Sequence, residues 1–273
     1  MLLTYCIADP AGNRTVLVTS PVEKSAYADI SQKLMTQIDG CEQVGFFTEP
    51  IYGGDVRLEM MGGEFCGNAL RCAAYYYVRE HIPGQRSLVA AEISGCDRVL
   101  EVSADVLNGF AQAEMVLPRV TEKADDWGGF GAMAFLYDGI THIVRIGPTR
   151  YLPEESLKAC LQSMSIRYNA SAVGLMQVDL RTNSLLPVVY VRDTDTMVYE
   201  SSCASGSAAA AFYLALLDED GVHSYDFKEP GGTLNAVVVK KERKILSVKI
   251  GGTIAMSEEY HTRASQTRAS QNG

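Results

Sequence analysis

Gly62-Gly63-Glu64-Phe65-Cys66-Gly67-Asn68-Ala69-Leu70-Arg71-Cys72 sets a cysteine, a glycine and a polar residue immediately before a run that favours helix. The same grammar returns in Glu200-Ser201-Ser202-Cys203-Ala204-Ser205-Gly206-Ser207-Ala208. The first run predicts a helix to about Glu80. The second, rich in alanine and leucine from Ala204 to Leu217, predicts another that Gly221 stops. Each cysteine then stands at a helix N-terminus, beside unpaired backbone N–H groups and the positive end of the helix dipole. That setting predicts a thiol pKa lowered from about 8.5 to as little as ~3.5–7.5. The small neighbours let a ligand carboxylate approach the same N–H groups, so each motif offers a base beside an anion site. A free cysteine on its own reads as a small buried hydrophobe, and Cys6, Cys41, Cys72, Cys96 and Cys160 are read that way. The shared grammar sets Cys66 and Cys203 apart.

Around these motifs, strand patterns recur at Leu2–Ile7, Thr15–Ser20, Val56–Met60, Leu88–Ile93, Val99–Val102 and Ala111–Val116. Ala26, Ile30, Leu34 and Ile38 share one face of a helix over Ser25–Ile38, and Gly40 follows as a stop. The other half repeats the plan. Its strands are expected at Ala132–Tyr137, Thr141–Ile146, Ala172–Asp179, Leu186–Val191, Leu234–Val239 and Leu246–Ile250, with a helix over Pro153–Met164. Two similar α+β halves follow, each with a central helix opened by a cysteine, and a boundary is placed near Pro118–Gly131. Residues 262–273, with Thr-Arg-Ala-Ser-Gln twice and no large apolar residue, read as a disordered tail.

The chain has 273 residues, 47% of them apolar, and a net charge of −9. That balance gives no cationic footprint for nucleic acid or an anionic membrane surface. Apolar runs such as Ala208–Leu217 fall short of the roughly 20 residues that span a bilayer. Met1–Pro10 lacks the basic and apolar regions of an export signal, so a cytoplasmic protein is expected. Seven cysteines without a Cys-x-x-Cys pair and four scattered histidines predict neither a disulfide framework nor a zinc site.

Pro10-Ala11-Gly12-Asn13, Cys66-Gly67-Asn68, Cys203-Ala204-Ser205-Gly206 and Pro230-Gly231-Gly232 occur in the order seen in the diaminopimelate-epimerase-like superfamily, which the chain resembles over nearly its whole length. Glu42-Gln43-Val44-Gly45-Phe46, Gly63 to Ala69 and Ser94-Gly95-Cys96 resemble most the histidine racemases of the staphylopine (opine metallophore) pathway. The resemblance implies an α+β fold of two similar domains, each a curved, mostly antiparallel sheet or barrel around a central helix. One domain would span 1–118, completed by the last strand near 253–260, and the other 119–252. It further implies an isomerase without pyridoxal phosphate, metal or other cofactor, a small amino-acid substrate, a homodimer, and Cys66 and Cys203 as two bases facing the α-carbon. Such a pair would remove the α-proton on one face and return one on the other.

Asn13, Glu42, Gln43, Gly67, Asn68, Glu200, Ala204, Ser205 and Gly206 are the candidate substrate contacts. Local roles compete for several of them: Asn13 serves a turn, Asn68 caps a helix, Glu200 ends a strand, and Glu42 and Gln43 solvate a strand edge. His142 reads as structural. Diaminopimelate fits poorly, because Ile140, Ala172 and Val191 replace polar groups that would hold its second zwitterionic end, and unpaired buried charge is costly. Arg192 is the counterargument, since a guanidinium binds a carboxylate by two hydrogen bonds. Diaminopimelate epimerase, an isomerase of the phenazine-biosynthesis type and a non-catalytic ligand-binding protein remain as alternatives to histidine racemase. The phenazine type lacks the paired cysteines.

Overall fold

Cys66 (φ −136°, ψ 109°) and Cys203 (φ −133°, ψ 101°) are extended residues from which two helices start, with nearly identical backbone geometry. The computed structural model describes residues 2–124 and 131–263. Among them are four α-helices: α1 (Tyr27–Gln37), α2 (Gly67–His81), α3 (Glu154–Arg167) and α4 (Ala204–Leu217). Eighteen strands hydrogen-bond into one continuous network around them.

Parallel neighbours need a crossover connection, and each helix supplies one. Helix α1 joins Thr15–Val18 to Gln43–Thr48, and α2 joins Val56–Met60 to Arg86–Ile93. In the same order, α3 joins Ile140–Ile146 to Ala172–Asp179. Helix α4, after strand Thr196–Tyr199, completes the crossover from Ser184–Val191 to Gly221–Glu229, which meet in parallel at Ser184 and Lys228. The other strand pairs are antiparallel. Strand Lys244–Thr253 pairs with both Gly232–Lys241 and Phe110–Glu114, so one sheet network links strands far apart in the chain.

Helices α2 and α4 are buried nearly all round. Leu70, Ala73, Ala74 and Val78 of α2 pack among Leu58, Val89, Ile93 and Leu100, whereas Ala208–Ala211 and Leu214 of α4 pack among Phe135, Met176, Val178 and Val238. The apolar sequence of α4 suits such a place, α2 adds buried Asn68 and Arg71 that are hydrogen-bonded, and each fully buried leucine or valine contributes about 1.5–3 kcal/mol. Alanine and glycine allow close approach: a Cβ on Gly206 would lie 2.2 Å from Met176 Sδ. Helices α1 and α3 cover outer sheet faces and bury one side only.

Several expectations need correction. Helix α4 ends at Leu217, not at a glycine stop. Gly221 opens a strand, and the buried Lys240 ammonium caps the helix by donating to the Ala215, Leu216 and Asp218 carbonyls at 2.6–3.2 Å. The stretch read as a boundary contains strand Val120–Ala124, paired with Ala132–Leu136, while residues 125–130 lie outside the described ones. Strands Thr196–Tyr199 and Gly221–Glu229 add to the expected ones. Tyr260–Arg263 forms a strand against Leu2–Tyr5, so ordered backbone reaches two residues into the expected tail, whose remainder lies outside the described residues. Ala255 and Met256 pair with Asp9 and Ala8, which returns the end of the chain to its first strand. No helix of the described residues is long and apolar enough to cross a membrane.

Candidate active site

The two cysteines occupy the position usually held by a capping serine or threonine. Cys66 Sγ accepts the N–H of Ala69 at 3.4 Å, and Cys203 Sγ accepts that of Gly206 at 3.3 Å. The helix entrances meet: a Cβ on Gly67 would sit 3.1 Å from Ala204 Cβ, and Asn68 Nδ2 donates to the Ser202 carbonyl and hydroxyl at 3.4 and 3.3 Å. The N–H groups of Gly67, Asn68, Ala204 and Ser205 lie in the first turns, where no carbonyl of the same helix can take them.

Thiol poise differs from the expectation. Burial pushes Cys66 up to about 11, although the Ala69 N–H and the Gln43 amide pull the other way. Cys203 stands well above the usual thiol range for the same leading reason, reinforced by Glu200 and Glu229 and partly offset by Ser205 and the Gly206 N–H. Burial, which is a property of the whole fold, outweighs the local helix terminus.

A polar network joins the predicted contacts. Asn13 Nδ2 donates to Glu42 Oε2 at 2.6 Å, and its Oδ1 accepts from Gln43 Nε2 at 2.8 Å and Asn68 Nδ2 at 3.1 Å. Ser201 Oγ donates to Glu42 Oε1 at 2.6 Å, so Glu42 bridges residues distant in the chain. Buried Arg71 donates to Asn68 Oδ1 at 2.8 Å and to the Ala111 and Gly252 carbonyls at 3.3 and 3.1 Å.

Glycines let the loops of the site touch. Gly95 has a φ of +72°, and a Cβ there would lie 2.4 Å from the Phe65 nitrogen. Beside it, Ser94 Oγ accepts the Met60 N–H and donates to the Glu64 carbonyl, both at 2.9 Å, which fixes the approach to Cys66. Gly12 (φ +90°) and Gly231 pack backbone to backbone, and the Gly231 N–H donates to the Ser201 carbonyl at 2.8 Å. A Cβ on Gly231 would meet the Ala11 carbonyl oxygen at 2.3 Å. Gly231→Ala is therefore expected to displace the Ala11–Asn13 turn, cost about 1–3 kcal/mol of stability and raise KM. A melting curve and KM both equal to wild type would contradict the contact.

One predicted contact, Glu200, and two residues to which the sequence assigns no site role, Glu229 and His142, complete the site. Glu229, just before Pro230, accepts the Cys203 N–H on Oε2 at 2.8 Å and the Ser207 hydroxyl on Oε1 at 2.5 Å. Burial raises its carboxyl to about 8 against those hydrogen bonds. Glu200, half-buried, follows strand Thr196–Tyr199; burial raises it to about 7, with Cys203 opposing the rise and Glu42 adding to it. His142, read as structural, lies against Gly174 with Nε2 at 2.9 Å from Ser205 Oγ, and Ser205 Oγ is 3.6 Å from Cys203 Sγ. Burial lowers its imidazole to about 3 and leaves it neutral. Arg192 is exposed in the turn after strand Ser184–Val191, and Ile140 and Ala172 pack on the core around α4.

A family model described as the histidine racemase CntK N-terminal domain matches residues 2–260. A histidine racemase of Staphylococcus aureus is 27% identical over 236 residues, covering 83% of this chain and 85% of the relative. One of Fusobacterium nucleatum is 30% identical over 222 residues, covering 78% and 81%. Among solved structures, a hydroxyproline epimerase from Agrobacterium vitis has the same fold, with a TM-score of 0.65 at 11% identity, over 96% of this chain and 91% of the other.

Proposed function

Because the chain belongs to the histidine racemase family of that model, we propose that it is an amino-acid racemase that inverts the α-carbon of histidine by proton transfer between Cys66 and Cys203. An isomerase acting on an amino acid follows from the family; the substrate and the two bases are our reading. The observation that carries it is the pair of matching cysteine caps at two abutting helix entrances. Abstraction on one face and donation on the other need a group on each side, with one sulfur a thiolate and the other a thiol. The N–H groups of Gly67, Asn68, Ala204 and Ser205 receive the substrate carboxylate and stabilise the charge it gains as the carbanion forms. We read residues 1–118, completed near 253–260, and 119–252 as two lobes, each presenting one base.

The raised thiols assign the substrate a further part. Burial and the two carboxylates disfavour a thiolate at Cys203. An α-ammonium seated at Glu200 offsets that negative charge, and an opposite charge within ~4–6 Å favours the ionised form by about 1–3 pKa units. The reactive thiolate thus forms in the complex. Asn13, Gln43 and Asn68 orient the substrate, and Glu42 takes the imidazole. The exposure of Arg192 supports preferring this side chain to one with a distal carboxylate.

The test is α-proton exchange in D2O with L-histidine and LL-diaminopimelate on one preparation. We expect exchange with inversion of histidine and a higher kcat/KM for it. No exchange with either compound would overturn the racemase reading, whereas a higher value for diaminopimelate would overturn the substrate alone.

A further inference from the structure

Glu229 is a buried acidic side chain with both oxygens engaged at the start of α4, and the proton transfer described above does not use it. One oxygen takes the N–H of Cys203 itself, and the other takes the hydroxyl of Ser207, one turn further along the helix. The carboxylate therefore clamps both ends of the turn that carries the sulfur. Pro230 and Gly231 follow it directly, and Gly231 is pinned to Ser201, so the clamp is anchored to the loop that leads into Cys203. We infer that Glu229 is a positioning residue for Cys203: it fixes the first turn of α4, leaves the Ala204 and Ser205 N–H groups to the substrate and, when ionised, sets its negative charge against ionisation of the adjacent sulfur.

The charged and titratable groups around this sulfur are few. Glu200 and Glu229 oppose its ionisation, and Ser205 and the Gly206 N–H favour it. The Tyr137 hydroxyl is held neutral by burial and by Cys203, neutral His142 lies beyond Ser205, and the Arg71 charge favours ionisation of Glu229. Of the two carboxylates, Glu229 alone also holds the backbone of the cysteine.

The inference rests on Cys203 being one of the two bases, and the test reads the sulfur separately from the reaction. The probe is iodoacetamide, with alkylation of Cys203 and Cys66 followed peptide by peptide across pH in the full chain. Glu229→Gln keeps an acceptor for the Cys203 N–H and a donor for Ser207 Oγ while removing the charge. Half-maximal labelling of Cys203 is expected to move down by about one pH unit, with Cys66 unmoved. Glu229→Ala, which loses both hydrogen bonds, is expected to lower kcat by about a hundredfold, and the glutamine variant to recover most of that loss. An unshifted Cys203 profile in Glu229→Gln, or equal kcat in the two variants, overturns the role. A shifted profile in a protein whose wild type exchanges no α-proton supports the clamp and removes the two-cysteine reading.

Discussion

Cys66→Ser and Cys203→Ser are each expected to lower racemisation by about 10²–10⁴-fold or more, the range over which one acid–base group acts. Serine is the informative substitution, because its hydroxyl still accepts the Ala69 or Gly206 N–H. The cap therefore survives, and a lost cap would cost only about 1 kcal/mol. What disappears is a group acidic enough to become an anion once the substrate is bound, which a serine hydroxyl is not. Both variants should keep the wild-type melting temperature within a few degrees. Losing either sulfur should stop inversion from both enantiomers, since each direction uses one sulfur to remove the proton and the other to replace it. Wild-type turnover in either variant would overturn the two-base assignment.

Arg71→Leu is expected to be the most damaging change to stability. The guanidinium is fully buried in α2 and satisfies two carbonyls, of Ala111 and Gly252, that belong to neighbouring strands. It also holds Asn68, which reaches Asn13 and Ser202. Leucine fills much of the volume but leaves those acceptors buried without donors and removes the cation that favours ionisation of Glu229. Breaking such a cluster costs about 3–5 kcal/mol, which at this chain length lowers Tm by roughly 10 °C. Lysine should rescue little, because one ammonium does not reproduce a planar fork. Urea unfolding of both variants is the measurement, and a loss below about 1 kcal/mol for leucine would contradict the role given to the hydrogen bonds.

What could be read from the sequence was whatever is written locally. Strand Ala172–Asp179 and helix Ala204–Leu217 were placed to the residue, because an unbroken apolar strand and an alanine-rich helix need no knowledge of their neighbours. The family motifs named residues that do meet in space: Asn13, Glu42, Gln43 and Asn68 form one hydrogen-bonded chain. Strand Val120–Ala124 escaped because almost all of it is exposed, which erases the alternation that betrays a strand. Thiol poise escaped for a different reason. A helix terminus is visible in sequence, but the depth at which it lies is decided by strands far away in the chain. Glu229 was invisible on the same ground, since its partners precede it by 26 and 22 positions.

The return of the chain to its first strand orders events during synthesis. Thr4 and His261 touch although they are 257 positions apart. Strand Leu2–Asp9 leaves the ribosome early with Thr15–Val18 as its neighbour on one side, and its other edge waits until residues 255–263 have been made. An uncovered edge is the usual place for misplaced pairing between chains, and contacts of such wide separation form slowly. The strands around Cys203 are therefore all made before the far edge of Leu2–Asp9 is covered.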